Sequence, residues 1–184
     1  MRFDTTAVSR FTVLAATLGL CLTAGGPARA DGGGGGGGGG SNTNCPPGEV
    51  FDARTMQCVK QKAGVLPDAA LTDYAYALAK AERYAEAVQV LDLLKNPNTP
   101  QALNYRGYAT RHLGKLDEGI GYYRKSVALD PNYAQVREYL GEAYILKGDV
   151  PSAHAQLHEI ERICGTGCDE YKHLADAIAG GSKS

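Results

Sequence analysis

The chain has 184 residues, with 19 basic and 20 acidic side chains and a formal net charge of −1. This length suffices for one modest domain with appendages. The near-neutral charge provides no overall basic field and argues against a nucleic-acid partner. Tryptophan is absent and all 11 tyrosines lie between positions 74 and 171, so we expect the folded part of the chain there.

The first 30 residues have the pattern of a secretory signal peptide. Arg2 and Arg10 introduce a largely apolar run over 11–24, and the Ala-Arg-Ala of 28–30 is a small-x-small cleavage site. The apolar run is too short to cross a membrane and remain there. We therefore expect cleavage after Ala30 and a mature protein that is periplasmic or secreted, with no stable membrane anchor.

A lipoprotein anchor at Cys21 is the alternative for this segment. Leu20 precedes that cysteine, whereas the bacterial lipobox has a small residue there, so cleavage after Ala30 is favoured. Removal of 1–30 takes one of the five cysteines and leaves four. An even number of cysteines in an exported chain predicts a disulfide framework.

Residues 31–44 contain nine consecutive glycines. Such a run buries no apolar surface and leaves the backbone maximal freedom, so the segment is predicted to be a flexible linker. Two origins remain open: a selected spacer, or a slip in a repetitive coding tract.

A short segment bounded by cysteines, 45–60, follows the linker. Cys45 and Cys58 enclose turn-forming residues on either side of the apolar pair Val50 and Phe51. This arrangement predicts a disulfide-closed loop or hairpin. Closing a loop of this size stabilises the fold by about 3 kcal/mol in the entropic model.

The same segment resembles one half of a peritrophin-type chitin-binding module, in which a C-P-x-G-x-x-F-D run leads to a cysteine. The other half of that module's cysteine framework is absent from the chain. A local structural staple is therefore the favoured interpretation, and binding of chitin or peptidoglycan sugar is the alternative.

Helical periodicity begins after position 65. Ala75 and Ala87 lie twelve positions apart, with apolar residues at helical spacing around them. Pro67 and Asp68 offer a helix start, and the Asn- and Pro-rich run 96–100 ends the unit. We expect a divergent first repeat over 68–99.

The next two units repeat at an offset of 34 residues, which places Gly107 on Gly141 and Gly114 on Gly148. A fixed period of this length is typical of stacked helical repeats. Gly107 and Gly119 are twelve positions apart, like Ala75 and Ala87. Small residues so placed on either side of a turn let two antiparallel helices approach closely.

The run from Leu103 to Asn132 resembles a tetratricopeptide repeat, through Gly107, Gly114, Gly119 and Tyr123. The run over 139–160 resembles one too. The resemblance implies an all-α, right-handed superhelix of about three helix pairs, within 65–163, plus a C-terminal capping helix. Its repeats would cover 68–99, 100–133 and 134–163. Arg106, Thr110 and Pro151 depart from the family pattern.

The C-terminal segment 164–180 is predicted to be the capping helix. Cys164 and Cys168 enclose two glycines that permit a sharp turn, and Asp169 can cap a helix whose apolar face covers the last repeat. We interpret the cysteines as a disulfide that pins this helix. A redox-active CxxxC pair is the alternative.

The resemblance also implies a binding surface, because in this family the first helices of successive repeats line an inner groove for a peptide. A mixture of tyrosine, amide and charged side chains suits peptide recognition. It does not match the Lys/Asn carboxylate clamp of chaperone-binding relatives. The groove residues in this register are Tyr76, Lys80, Asn104, Tyr108, Arg111, His112, Glu138, Glu142 and Ile145.

No catalytic constellation is apparent, and we predict a non-catalytic protein without cofactor or metal. His154 and His158 are spaced for a metal, with Glu161 near, but they flank the buried stripe of their helix and are better read as surface residues. The favoured function is an exported adaptor that binds a protein or peptide partner. The alternatives are an envelope-polysaccharide-binding protein using 45–58 and a thiol-redox helper using Cys164 and Cys168.

Overall fold

The computed structural model describes residues 45–62 and 64–181. The predicted signal peptide and linker, 1–44, lie outside the described residues. The described part begins with a two-stranded hairpin and continues as seven helices. Their bounds are β1 Glu49–Asp52, β2 Gln57–Lys60, α1 Asp68–Lys80, α2 Tyr84–Leu91, α3 Pro100–His112, α4 Leu116–Leu129, α5 Ala134–Lys147, α6 Val150–Cys164 and α7 Asp169–Gly181.

The helices pack as three consecutive pairs, α1 with α2, α3 with α4, and α5 with α6. Each pair stacks on the next through α2 with α3 and α4 with α5, while α7 packs against both α5 and α6. The predicted all-α repeat architecture is thus confirmed, with the small hairpin as an addition. Asp169 is the first residue of α7 rather than a residue preceding it.

Small residues set the closeness of the helices within and between pairs. A Cβ atom on Gly107 would lie 2.7 Å from ring carbons of Tyr123, and one on Gly119 would lie 3.0 Å from the carbonyl oxygen of Gly107. A Cβ on Gly141 would lie 2.5 Å from Leu174 of α7. Any side chain at these positions would force the helices apart, which explains the small residues that recur along the sequence.

The turn inside each pair requires a left-handed backbone at one position. Gly114 and Gly148 supply it with φ angles of +83° and +79°. Glu82 holds the corresponding place in the first pair with a φ of 62°. Glycine reaches this conformation without steric penalty, whereas a residue with a Cβ is strained there.

Helix starts follow local side-chain chemistry. The hydroxyl of Thr99 accepts a hydrogen bond from the backbone N–H of Ala102 at 3.2 Å, and Pro100 occupies the first position of α3. The carboxylate of Asp149 accepts from the N–H of Ser152 at 3.2 Å to cap α6. Both arrangements satisfy an otherwise unpaired donor of a helix N-terminus.

The hairpin covers the outer side of the first repeat. β1 and β2 pair antiparallel, and the predicted disulfide joins Cys45 to Cys58. Val50 and Phe51 are buried in one cluster with residues of α1 and α2. Arg83 ties the two parts together, because its Nη2 donates to the carbonyl oxygen of Cys45 at 3.1 Å. The hairpin therefore shields the apolar face that a first repeat would otherwise expose.

Candidate functional site

A cavity of about 510 Å³ opens along one side of the repeats. Among the described residues, its lining comes from α1, α3 and α5, which are the first helices of the three repeats, and from the start of α7. These helices contact one another in sequence, α1 with α3, α3 with α5 and α5 with α7. The cavity is lined by Tyr76, Lys80, Tyr108, Arg111, His112, Gln135, Glu138, Tyr139, Glu142, Asp169, Glu170 and His173.

Seven of the nine side chains expected in the groove line this cavity. Ile145, the ninth residue in the same register, lies in an adjoining pocket. Asn104 departs from the expectation because it is fully buried. Its amide nitrogen donates to the hydroxyl of Tyr133 and to Oε1 of Gln135, at 3.1 Å each. Asn104 therefore joins two repeats instead of facing a ligand.

The floor of the cavity is an ion pair between the buried Arg111 and the half-buried Glu142. Nη2 of Arg111 donates to Oε2 of Glu142 at 2.9 Å, and Nη1 donates to the carbonyl oxygen of Tyr139 at 3.4 Å. The guanidinium also lies 5.6 Å from the ring centroid of Tyr108 and 6.0 Å from that of Tyr123. A cation held by a carboxylate and two aromatic faces is fixed in position.

Aromatic rings form the wall on the α1 and α3 side. His112 stacks on Tyr84 at 4.6 Å between centroids and lies 4.5 Å from the ring of Tyr108. Burial, and then the nearby charge of Arg111, lowers the pKa of His112. The imidazole is therefore neutral at physiological pH. Lys80 is exposed, with its Nζ 5.6 Å from the centroid of Tyr108.

The opposite side of the cavity is acidic. We name its four carboxylates, from α5 and α7, the acidic wall: Glu138, Glu142, Asp169 and Glu170. Glu138 is buried, and one of its oxygens lies 3.1 Å from Nδ1 of His173. Burial, followed by repulsion from Glu142, raises the pKa of Glu138 to about 7. A strongly perturbed carboxyl group in a cavity is typical of a functional site.

Sequence reasoning missed five lining residues, which are Gln135, Tyr139, Asp169, Glu170 and His173. The last three belong to α7, which was expected only to cover the final repeat through its apolar face. Leu174 of that face is indeed fully buried. The missed signal was that α7 follows α6 as a further first helix would, so its polar residues join the same wall.

An apolar pocket of about 290 Å³ adjoins the cavity and shares three lining residues with it. The shared residues are Arg111, His112 and Glu142. Ile145, Leu146 and Ala177 supply the remaining lining, and Leu146 is 66% exposed. A segment bound in the cavity therefore has an apolar surface directly beside it.

The hairpin holds its one aromatic side chain in the core. Phe51 is the sole aromatic residue of 45–60. It is 7% exposed, within the core of the first repeat. The segment resembling a chitin-binding half-module thus has a structural role in packing.

The remaining candidates do not line the cavity. Cys164 and Cys168 are joined by a disulfide, as expected for the segment that pins α7. His154 and His158 are exposed on α6, which does not line the cavity. Within 45–62 and 64–181, no helix has the length and apolar character needed to cross a membrane.

Aromatic and charged side chains make up most of the cavity lining. Burial raises the pKa values of Tyr123 and Tyr139, so both hydroxyls stay protonated at physiological pH. Arg111 is bound to Glu142, and His112 packs against the rings of Tyr84 and Tyr108. The site thus combines rigid aromatic surfaces with charges at defined positions, which suits selective binding of a polypeptide.

Neither a protein-family model nor a curated protein sequence matches the chain. Solved structures do match it in fold. One is the type III secretion chaperone SycD of Yersinia enterocolitica with a peptide of the translocator YopD, at 17% identity and a TM-score of 0.51. The alignment covers 61% of this chain and 87% of SycD.

Two further structures match at similar levels. The first TPR domain of human RPAP3 is 18% identical with a TM-score of 0.52, covering 64% of this chain and 96% of the domain. PcrH, in complex with the chaperone-binding region of PopB, is 15% identical with a TM-score of 0.51, covering 65% of this chain and 98% of PcrH. The chain therefore has a tetratricopeptide-repeat fold.

Proposed function

We propose that this protein is a non-catalytic adaptor that binds a segment of a partner protein in the cavity between α1, α3, α5 and α7. The observation that carries the proposal is the convergence of the first helix of every repeat on one cavity of about 510 Å³. This volume lies within the range of binding sites that bury several side chains of a ligand.

The composition of the cavity supports a polypeptide ligand. Tyr76 and Tyr108 give rigid contact surfaces that lose little conformational entropy on binding. Charged groups stand on both sides of these rings, with Lys80 on α1 and the acidic wall on α5 and α7. Such a surface combines apolar contact with charge selectivity, as protein-binding sites do.

Structures of similar fold support the same proposal. SycD was solved with a peptide of YopD, and PcrH with a region of PopB, so both bind segments of partner proteins. Because their sequences are at most 17% identical to this chain, the likeness shows a shared fold and nothing about the ligand. The ligand of this chain has to be inferred from its own side chains.

An exported location is part of the proposal. The signal-peptide pattern of 1–30 supports it, as do the disulfides Cys45–Cys58 and Cys164–Cys168. Disulfides persist in oxidising compartments such as the bacterial periplasm. Fractionation of cells that express the full chain, with N-terminal sequencing of the mature form, tests both cleavage after Ala30 and the compartment.

Site-specific photo-crosslinking in cells tests the binding site. A photoreactive amino acid replaces Lys80, which is exposed in the cavity, or Lys125, which is exposed on α4 outside it. We expect a defined partner to crosslink from position 80, and a synthetic copy of the crosslinked segment to compete for it. The control at position 125 should remain uncrosslinked.

Crosslinks from position 125 with none from position 80 would contradict binding in the cavity. The partner would then contact the second helices of the pairs. Equal crosslinking from both positions, unaffected by the competing segment, would contradict it as well, since that result indicates random collision.

A further inference from the structure

We propose that the cavity selects a segment with a cationic side chain, lysine or arginine, beside an apolar side chain. The cation would lie against the acidic wall, and the apolar group would enter the pocket of Ile145, Leu146 and Ala177. This inference rests on the proposed function, because it names the chemistry of the partner that binds in the same cavity.

The acidic wall is not neutralised by its surroundings. Arg111 is bound to Glu142, and the Nζ of Lys172 lies 3.8 Å from Asp169 within α7. Among the described residues, His173 is the only ion-pair partner of Glu138, and Glu170 has no ion-pair partner. On the α5 and α7 side, three carboxylates and the partly ionised Glu138 thus stand beside two cations, which leaves that side of the cavity net negative, while Lys80 lies on the α1 side.

Glu138 shows most clearly that the charged carboxylates on this side lack compensating cations, because its own ionisation is disfavoured. Its side chain is 9% exposed, whereas the imidazole of His173, its partner, is 63% exposed. A buried carboxylate with a loosely held partner carries a desolvation penalty that a second cation can offset. Glu142 and Glu170 add repulsion, so a bound ammonium or guanidinium group would relieve the repulsion of three carboxylates at once.

The positions of the existing cations orient the ligand. Lys80, on α1, would repel a cationic side chain and confine it to the α5 and α7 side of the cavity. The tyrosine rings between the two sides also favour a cation, because an aromatic face attracts positive charge. For an acidic ligand, Lys80 would be the one lysine or arginine of the cavity lining that is available to pair with it, since Arg111 is already paired with Glu142.

The apolar pocket provides the second determinant. It shares Arg111, His112 and Glu142 with the cavity, so an apolar group reaches it from a segment whose cation meets the acidic wall. Leu146 and Leu113, at the ends of α5 and α3, are 66% and 45% exposed. Covering these side chains removes apolar surface from water and favours binding.

The test is an array of random synthetic dodecapeptides probed with the full chain. We expect bound peptides to be enriched in lysine or arginine next to leucine, isoleucine or phenylalanine. For the tightest peptide, replacement of its basic residue by glutamate should weaken binding at least about tenfold. Replacement of its apolar residue by serine should also weaken it, by a smaller factor.

The same binding measurement on variants of the protein tests the cavity side of the interaction. Glu138→Gln and Glu170→Gln preserve shape and remove charge, and each should weaken the tightest peptide about five- to tenfold. Glu161→Gln on α6, an exposed residue that does not line the cavity, should leave the affinity unchanged. Circular dichroism of each variant confirms that the fold is retained.

The outcomes separate this inference from the proposed function. Enrichment of acidic peptides, or an affinity that Glu138→Gln and Glu170→Gln leave unchanged while His112→Ala lowers it, overturns the cationic assignment and retains the cavity as the site. Absence of any bound peptide, or binding that His112→Ala also leaves unchanged, overturns both.

Discussion

Arg111 of α3 and Glu142 of α5 form an ion pair of 2.9 Å that joins two repeats across the floor of the cavity. The arginine side chain is 7% exposed and the glutamate side chain 30%. The pair thus has two roles, because it holds neighbouring first helices together and shapes the surface on which a ligand would rest.

Removal of the carboxylate should destabilise the fold. We expect Glu142→Gln to lower the free energy of unfolding by about 2–3 kcal/mol, because the buried charge of Arg111 loses its partner. Urea denaturation followed by circular dichroism measures the change. The control is Asp117→Asn, which breaks the 2.6 Å pair with Lys147 between α4 and α5 at an exposed site. It should leave the midpoint nearly unchanged, and equal losses in both variants would contradict the role given to Arg111.

The close approach of α3 and α4 makes a second prediction. Gly107→Ala should destabilise by about 1–3 kcal/mol, because the new methyl group would meet the ring of Tyr123. Gly121, within α4, has no other group within 4 Å of an added Cβ. Gly121→Ala should therefore stabilise by about 0.5–1 kcal/mol through helix propensity. Thermal unfolding of the two variants should give shifts of opposite sign, and shifts of the same sign would contradict the packing.

A third prediction concerns Glu82, which adopts the left-handed backbone conformation that glycine adopts in the turns of the other two helix pairs. Glu82→Gly should raise the free energy of unfolding by up to about 1 kcal/mol, because relief of strain exceeds the entropic cost of a glycine in the unfolded chain. Gly114→Ala is the reverse change at the matching position and should lower the stability by about 1 kcal/mol or more. Differential scanning calorimetry measures the melting temperatures of both variants, and a lower melting temperature for Glu82→Gly would count against the prediction.

Glu138 predicts a dependence on pH. In the folded chain burial and Glu142 raise its pKa to about 7, against an ordinary value of 4.5. The folded state therefore retains a proton that the unfolded chain loses near pH 4.5. This stabilisation is complete below pH 4.5 and is lost as the pH rises to about 7.

Glu138→Gln removes this titration while retaining the size of the side chain. The free energy of unfolding of the variant, relative to that of the unmodified chain, should rise by about 1–3 kcal/mol between pH 4 and pH 8. Glu142 on α5, and Glu170 and His173 on α7, are the other charged or titratable groups that act on Glu138, so they remain unchanged in the comparison. A constant difference between the two proteins across this interval would contradict the assignment, and Glu161→Gln serves as the control.

The two disulfides predict different losses of stability. Cys45 and Cys58 are 13 positions apart, whereas Cys164 and Cys168 are 4 apart. Because a longer closed loop restricts the unfolded chain more, replacing the first pair by serine should cost about 3 kcal/mol and the second about 2 kcal/mol. Guanidinium denaturation of the two double variants measures this order. A larger loss for the second pair would indicate that α7 depends on its disulfide more than chain entropy predicts.

The repeat architecture could be predicted from the sequence because its determinants are local. The period of 34 residues and the small residues twelve positions apart describe one helix pair, and the pair has to bury its apolar faces in the same way each time. The expectation that Gly107 permits close helix packing is confirmed by its position against Tyr123. Helical register likewise predicted which side chains of α1, α3 and α5 share a face.

The tertiary structure decided the features that depend on contacts between distant segments. Asn104 has the register of a groove residue, but the approach of Tyr133 and Gln135 from the next repeat buries it. Phe51 is buried because β1 docks on α1, which no local pattern specifies.

The acidic wall has the same origin. The sequence by itself determined that a capping helix follows Cys168, and periodicity identified the face that holds Leu174. Only the docking of α7 on α5 brings Glu170 and His173 beside Glu138, because the distance between two helices depends on the packing of both surfaces and not on the periodicity of either. The charge of the cavity is therefore a property of the folded molecule.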